Sequence, residues 1–259
     1  MKYSISFPKP ASGFIEIKLE IKDINFDKVQ LQLPSWRPGR YELSNFARNI
    51  RSWKAIDKKG NNLNFEKLNK DLWEVETSNT DTVIIEYDYY TDSIDAGNCY
   101  SSDEQLYVNP IHCCLYDPNK MDETCELFLD IPKNWKVATG LKKHRGNKYS
   151  ASNYHRFVDS PFICSAGLQH NSYKVANRKF NIWFQGECKP EWNRIIRDFR
   201  KFTAYQLKVM KSFPVDEFHF LVQITPYKKY HGVEHLNNTV LALGPGYDLM
   251  TSLYKELLG

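Results

Sequence analysis

The feature that most constrains this chain is a repeated alternation of apolar and polar side chains. Ile15, Ile17, Leu19 and Ile21 alternate with Glu16, Lys18 and Glu20; Val29, Leu31 and Leu33 alternate with Gln30 and Gln32. Val83, Ile85, Tyr87 and Tyr89 repeat the pattern in TVIIEYDYY. Successive side chains of an extended strand point to opposite faces, so each run offers one face to a core and one to water. Leu72–Glu76, Cys125–Ile131 and Trp135–Thr139 are shorter runs of the same kind. Lys59-Gly60-Asn61, Ser78-Asn79-Thr80, Asp117-Pro118-Asn119 and Arg145-Gly146-Asn147 supply the turns between runs. Many short strands with regular turns predict a mainly β chain that begins as an antiparallel β-sandwich.

After about residue 172 the pattern changes. KFNIWFQGE (Lys179–Glu187) is one more strand, and Pro190 suits the first turn of a helix. Trp192, Ile195, Ile196, Phe199, Phe202 and Val209 then follow at helical spacing, up to a stop at Pro214. FHFLVQIT (Phe218–Thr225) returns to a strand. A last helix is predicted from about Tyr247, with Met250, Leu253, Tyr254, Leu257 and Leu258 on one stripe; Gly259 is either its C′ cap or the point of a cut between two elements of a larger domain. The chain divides into a sandwich over 1–172 and a mixed strand–helix region over 173–259. The mixed region has few residues for a core of its own. Its last two elements are expected to lack partners, leaving apolar surface exposed or covered in a dimer.

Composition narrows the function. With 14% aromatic residues the chain is not disordered, and no apolar run approaches the ~18–20 residues of a membrane span. A net charge of +4 makes no case for nucleic acid or an anionic membrane as partner. MKYSISFPKP has no apolar core of a secretory signal. The six cysteines contain no C-x-x-C pair and read as reduced thiols, which suits a cytoplasmic protein. Cys113 and Cys114 are expected on opposite faces of one strand.

HGVEH (231–235) is the most chemically loaded stretch. As H-x-x-E-H it matches an inverted zinc motif, which needs a helix to place both histidines on one face. Gly232, Val233 and the following LNNTV favour a strand instead. On a strand His231 and His235 stand ~13 Å apart at ~3.3 Å per residue, too far to share one ion. As an edge strand, the stretch would pair with an extended peptide, Gly232 allowing close backbone approach. Glu234 would then face the peptide's free amine. The plain alternative is a solvated glutamate in a polar loop.

HGVEH with NNTVL resembles the GGLEH…STVL segment of the glycyl aminopeptidases, zinc metallopeptidases of the gluzincin type that often carry a PDZ domain. Further segments resemble that family in the same order. LPSWRPGRY (33–41) with NFARNI resembles its LPxWxPGxY and the segment after it; KLNKDLWEV (67–75) resembles its K-x-x-x-x-W strand. NWKVATGL (134–141) resembles GWxVATGL, and NYHRFVDSPF (153–162) resembles YxxLxDSP. The resemblance implies a β-sandwich followed by the truncated α+β start of a thermolysin-like catalytic domain. It implies zinc in the full-length parent, held on an HExxH helix that residues 1–259 do not contain. The family motif maps onto Gly232, Val233, Glu234 and His235 as substrate-binding residues, with Glu234 implied to hold the N-terminus of a peptide substrate. His231 departs from the family's first glycine. No catalytic or metal-binding residue is implied within this chain, which is therefore expected to be inactive alone.

Other residues read more plainly. Trp36, Trp53 and Trp73 would suit a sugar-stacking platform, the basis of an alternative reading as a non-enzymatic module binding sugar or peptide; core or turn packing is the favoured explanation of them. His112, His144, His155, His170 and His219 share no spacing and read as surface or satisfied histidines. Asp159-Ser160-Pro161 reads as a turn at the domain junction.

Overall fold

The computed structural model describes residues 1–40, 42–91 and 93–258, so the capping role expected for Gly259 lies outside the described residues. The alternating runs are strands. Phe14–Ile21 buries Ile15, Ile17, Leu19 and Ile21 to within 2% of full burial, while Glu16 and Lys18 face water. It lies inside a seven-stranded sheet in the spatial order Lys142–Lys143, Lys148–Ala151, Cys125–Asp130, Lys2–Ser6, Phe14–Ile21, Val83–Tyr90, Ile50–Ile56. Every neighbouring pair is antiparallel except Lys2–Ser6 with Cys125–Asp130, which runs parallel, so the sheet departs from the all-antiparallel expectation at one ladder.

Two smaller sheets complete this part. Lys28–Gln32, Leu72–Glu76 and Phe65–Lys67 form one; Lys136–Thr139, Phe162–Ser165, Leu106–Val108 and Tyr100–Ser101 form the other. One apolar cluster joins all three sheets: Ile17 and Ile85 of the large sheet meet Leu31 and Trp73 of the three-stranded sheet and Val108 and Phe162 of the four-stranded one. The tryptophans serve this packing. Trp73 is buried and stacks on Trp53 at 5.8 Å, and Trp36 stands apart in its loop, so the three form no exposed platform.

A five-stranded mixed sheet follows, ordered Gln169–Val175, Arg178–Gln185, Glu217–Ile224, Asn238–Gly244, Lys229–Glu234. Arg178–Gln185 pairs in parallel with Glu217–Ile224, a connection that needs a crossover, and the helix Trp192–Met210 supplies it. Ile195, Phe199 and Thr203 are buried four residues apart, one stripe of the helix. The helix starts two residues after Pro190 and ends on Lys211 in the left-handed conformation, three residues before Pro214.

The last helix is shorter than expected. Gly246–Asp248 is a 3₁₀ turn, and regular helix resumes only over Tyr254–Leu258. Thr251 and Ser252 are poor helix formers, and Thr251 donates its hydroxyl back to the Asp248 carbonyl. The segment does not lack partners: Leu249, Tyr254 and Leu257 are buried in one cluster with Phe184, Phe199 and Leu243. Cys113 and Cys114 also differ from expectation. Pro110 opens a short helix, Pro110–Cys113, and the two Sγ atoms lie 3.9 Å apart in the core instead of on opposite faces. All six cysteines are free thiols. Among the described residues no helix is long and apolar enough to cross a membrane.

Candidate functional site

The first four residues of HGVEH lie on the strand Lys229–Glu234 and His235 follows it into the turn, which removes the helical inverted zinc motif. The strand is the edge of the five-stranded sheet and, among the described residues, pairs only with Asn238–Gly244. A turn through Leu236 and Asn237 joins the two, and the His235 N–H donates to the Asn238 carbonyl at 2.9 Å. In an antiparallel ladder, residues that bond their partner alternate with residues whose N–H and C=O point the other way. Counting from the bonded pair His235–Asn238, through the continuous register to His231–Ala242, Gly232 and Glu234 turn their backbone groups to the open side. Those groups are free to take a further strand.

The side chains divide by the same alternation. Val233 is 6% exposed and packs into a small cluster with Tyr107, Ala138, Ile163, Leu221 and Val240, which joins the four-stranded sheet to the mixed one. This contact holds the edge strand against the first part of the chain. His231 faces the same way, its Nδ1 3.8 Å from Asp95 Oδ1. Burial lowers the His231 pKa, with Asp95 acting against that shift and Arg37 adding to it. Gly232 and Glu234 are exposed. A Cβ at Gly232 would stand 3.2 Å from Leu241 Cδ2, a tight fit that favours glycine there. Glu234 Oε1 reaches the loop 33–40, lying 3.6 Å from where a Cβ on Gly39 would be.

His235 belongs to a different contact. Its Nδ1 lies 2.8 Å from Asp159 Oδ1, and Asp159 Oδ2 accepts the Leu236 N–H at 2.9 Å. Asn237 Nδ2 donates to the Gly140 carbonyl at 2.8 Å. The turn of the edge hairpin is thus pinned to both the VATG and DSP segments. Of the four residues singled out in sequence, Gly232 and Glu234 face open space while Val233 and His235 anchor the strand. His231 and His235 lead to different carboxylates, and among the described residues no group of three or more His, Cys, Asp or Glu is placed to hold a metal ion. The residues present therefore do not fit a zinc site.

Sequence reasoning missed Arg37, Asp95 and the Asp159–His235 pair. Arg37 is 7% exposed and packs its Nη2 against Gly97, where a Cβ would come within 2.5 Å. Asp95 caps the following turn through the N–H groups of Gly97 and Asn98. An arginine between two prolines and an aspartate ahead of a glycine are ordinary loop residues, and neither carries a local signal of burial.

A larger cleft, about 1030 Å³, opens at the carboxyl ends of the parallel strands beside Gln185, Thr225 and Pro245. Such strand ends are common ligand sites in sheets of this kind. Glu234 is at the other end of the sheet and does not line it.

Comparison with known proteins places the chain. The family described as the peptidase M61 N-terminal domain matches residues 2–166. Among solved structures, an aminopeptidase N family protein from Idiomarina loihiensis is similar over 93% of this chain and 42% of its own, with 26% identity and a TM-score of 0.87. A variant M1 zinc metallopeptidase from Deinococcus radiodurans is similar in fold, with 11% identity and a TM-score of 0.51 over 93% of this chain and 59% of that one. The same enzyme bound to a Tyr-Ser-Ala substrate gives 10% identity and a TM-score of 0.51 over 95% and 59%. The chain thus spans less than two thirds of the length of these relatives. None of the curated proteins matches it.

Proposed function

Because the chain belongs to the peptidase M61 N-terminal domain family, we propose that it is the amino-terminal part of a gluzincin-type zinc aminopeptidase that removes N-terminal residues from peptides. Residues 1–172 are its β-sandwich, and 173–259 are the first part of a thermolysin-like catalytic domain. The end of the family match at residue 166, just before the mixed sheet begins at Gln169, supports a junction there. The zinc ligands and the general base belong to parts of the enzyme beyond this chain, so the 259-residue chain is itself inactive. The free thiols support a reducing compartment, the cytoplasm.

One observation carries the assignment of a role to this chain: Gly232 and Glu234 share the open side of an edge strand. An extended peptide aligned on that edge would exchange main-chain hydrogen bonds with Gly232. Its first residue would bring the α-ammonium to the Glu234 carboxylate in a charge-assisted hydrogen bond. That contact fixes the register of the peptide at its amino end, which is what distinguishes removal of one residue from cleavage at an internal bond. Val233 and His235 would hold the strand in place, the first by packing and the second through Asp159.

Calorimetric titration of the chain with alaninamide tests this reading, since that probe has an α-ammonium and no carboxylate. Glu234→Gln should weaken binding by about tenfold or more, in line with loss of a charged hydrogen bond. Equal binding by the wild-type chain and the variant would end the assignment of Glu234 as the amine site.

A further inference from the structure

Two arginines stand in the loop beside Glu234, and a third joins them around one pocket. Arg37 and Arg40 flank Gly39 in the loop that touches the Glu234 carboxylate, and Arg48 lies on the 3₁₀ turn Phe46–Asn49. All three line a pocket of about 330 Å³, together with Glu42, Phe46 and His112.

Two of its lining residues, Arg37 and His112, are more than nine-tenths buried. Arg37 is 7% exposed; its guanidinium makes no direct hydrogen bond or close ion pair among the described residues, and the carboxylates of Asp95 and Glu234 act on it from nearby. His112, 6% exposed, stacks on Phe46 with ring centroids 4.1 Å apart, and its Nε2 is buried without a hydrogen-bond partner. Burial, aided by Arg37 and Arg40, pushes the His112 pKa down to about 3 and keeps the ring neutral. The carboxylate lining the pocket, Glu42, is held by Arg40 at 2.6 Å. The balance within the pocket is therefore positive.

Asp95 and Glu234 offset the charge of Arg37 only from outside the pocket, so its lining still carries more guanidinium than carboxylate. The ligand that best satisfies a guanidinium fork is a planar oxyanion, accepted through two parallel N–H bonds. The arginine-bearing loop is the one that meets Glu234, so amine and anion contacts border one another. Neighbouring residues of a peptide are 3.8 Å apart at Cα, so one molecule spanning one or two residues reaches both.

We propose that the Arg37–Arg40–Arg48 pocket binds a carboxylate of the peptide whose amine Glu234 holds, so that the site selects peptides with a carboxylate within one or two residues of their amino terminus. The proposal rests on the aminopeptidase reading for the identity of the ligand. The carboxylate has two sources, the free C-terminus of a dipeptide or an acidic side chain at the second position.

The test is calorimetry on the 259-residue chain, with probes that separate the two contacts. N-acetylalanine, which has no amine, should bind about tenfold or more tightly than N-acetylalaninamide. Arg37→Met should erase that difference while Glu234→Gln leaves it intact. Arg40→Gln and Arg48→Gln, both at exposed positions, should each weaken N-acetylalanine binding severalfold and cover the case in which Arg37→Met does not fold. Ala-Ala and Ala-Asp-amide, each against Ala-Ala-amide, show which source is preferred; an advantage for either supports the proposal. Loss of alaninamide binding in Glu234→Gln without any carboxylate preference would overturn the pocket and leave the amine site standing. A carboxylate preference that survives all three arginine variants would also overturn it. So would binding of inorganic phosphate, abolished by Arg37→Met, with no binding of any carboxylate.

Discussion

The Nδ1 of His235 lies 2.8 Å from Oδ1 of Asp159, joining two residues 76 positions apart in the chain. The second oxygen of the same carboxylate accepts the Leu236 N–H, so one side chain holds both the ring and the backbone of the hairpin turn. The His235 side chain is 7% exposed and that of Asp159 37%. Asp159→Ala leaves the ring nitrogen and the amide without this partner, and is expected to cost about 1–3 kcal/mol. Asp159→Asn keeps one acceptor and should cost less. Urea unfolding of the two variants beside the wild-type chain measures both, and a Asp159→Ala chain as stable as wild type would show the contact to be incidental.

A peptide that adds to the edge strand needs the outward N–H of Gly232. Gly232→Pro removes that donor without touching a bond to Asn238–Gly244, because the inward bonds belong to the alternate residues. Peptide binding to the folded variant should fall about tenfold, while the ring atoms added beside Leu241 lower the midpoint of thermal unfolding by several degrees. Full retention of binding would mean that main-chain pairing at Gly232 contributes nothing.

Two glycines with similar backbone angles should respond differently to a methyl group. Gly186 has φ +104° and lies at the end of its strand, where a Cβ would approach the Ile224 carbonyl oxygen far inside contact distance. Gly60 has φ +87° in an open turn with nothing within 4 Å. Gly60→Ala should cost about 1 kcal/mol from backbone strain alone. Gly186→Ala adds a backbone clash and should cost about 2–4 kcal/mol or prevent folding. Chemical denaturation ranks the pair, and an equal cost would mean that the backbone around Ile224 yields freely.

The strands were legible because their signal is local. Ile15 to Ile21 alternate within eight residues, and burial follows the alternation residue by residue. The strand character of HGVEH was also legible, from Gly232 and the LNNTV after it. What sequence did not reveal depends on distant partners. Asp159 looked like a turn residue because its partner, His235, is 76 positions away. His112 looked like a satisfied or surface histidine, yet it is buried with an unpartnered Nε2 because Pro110 starts a helix and turns the ring onto Phe46. The stripe Met250, Leu253, Tyr254, Leu257 has helical spacing without continuous helix, since Thr251 and Ser252 interrupt it and packing onto the sheet supplies the burial.

His112 also makes stability depend on pH. Its pKa is about 3 in the folded chain against 6.5 for the free side chain, mainly through burial, with Arg37 and Arg40 adding to the effect. Between those values the unfolded chain binds one more proton, so stability is fully present above about 6.5 and declines as pH falls toward 3. Each excess proton corresponds to about 1.4 kcal/mol per pH unit. His219, lowered to about 4 chiefly by burial, contributes in the same direction. His112→Gln should therefore reduce the slope of unfolding free energy against pH by about one proton between pH 4 and 6.5. Urea titrations across that range measure the slope, and an unchanged slope would mean that His112 charges without penalty in the folded chain.

Hydrolysis offers the broadest check. His231 and His235 lead to different carboxylates and cannot converge on one ion without breaking the edge hairpin. The role proposed for Glu234 is to hold an amine, and among the described residues no group of His, Cys, Asp or Glu stands with it to hold a metal ion. The 259-residue chain incubated with zinc is therefore expected to release no product from alanine p-nitroanilide or from Ala-Ala, with or without a chelator. It should nonetheless bind alaninamide in a Glu234-dependent way. Zinc-dependent hydrolysis that vanishes with Glu234→Gln would relocate the chemistry onto this chain and overturn the division of labour proposed for it.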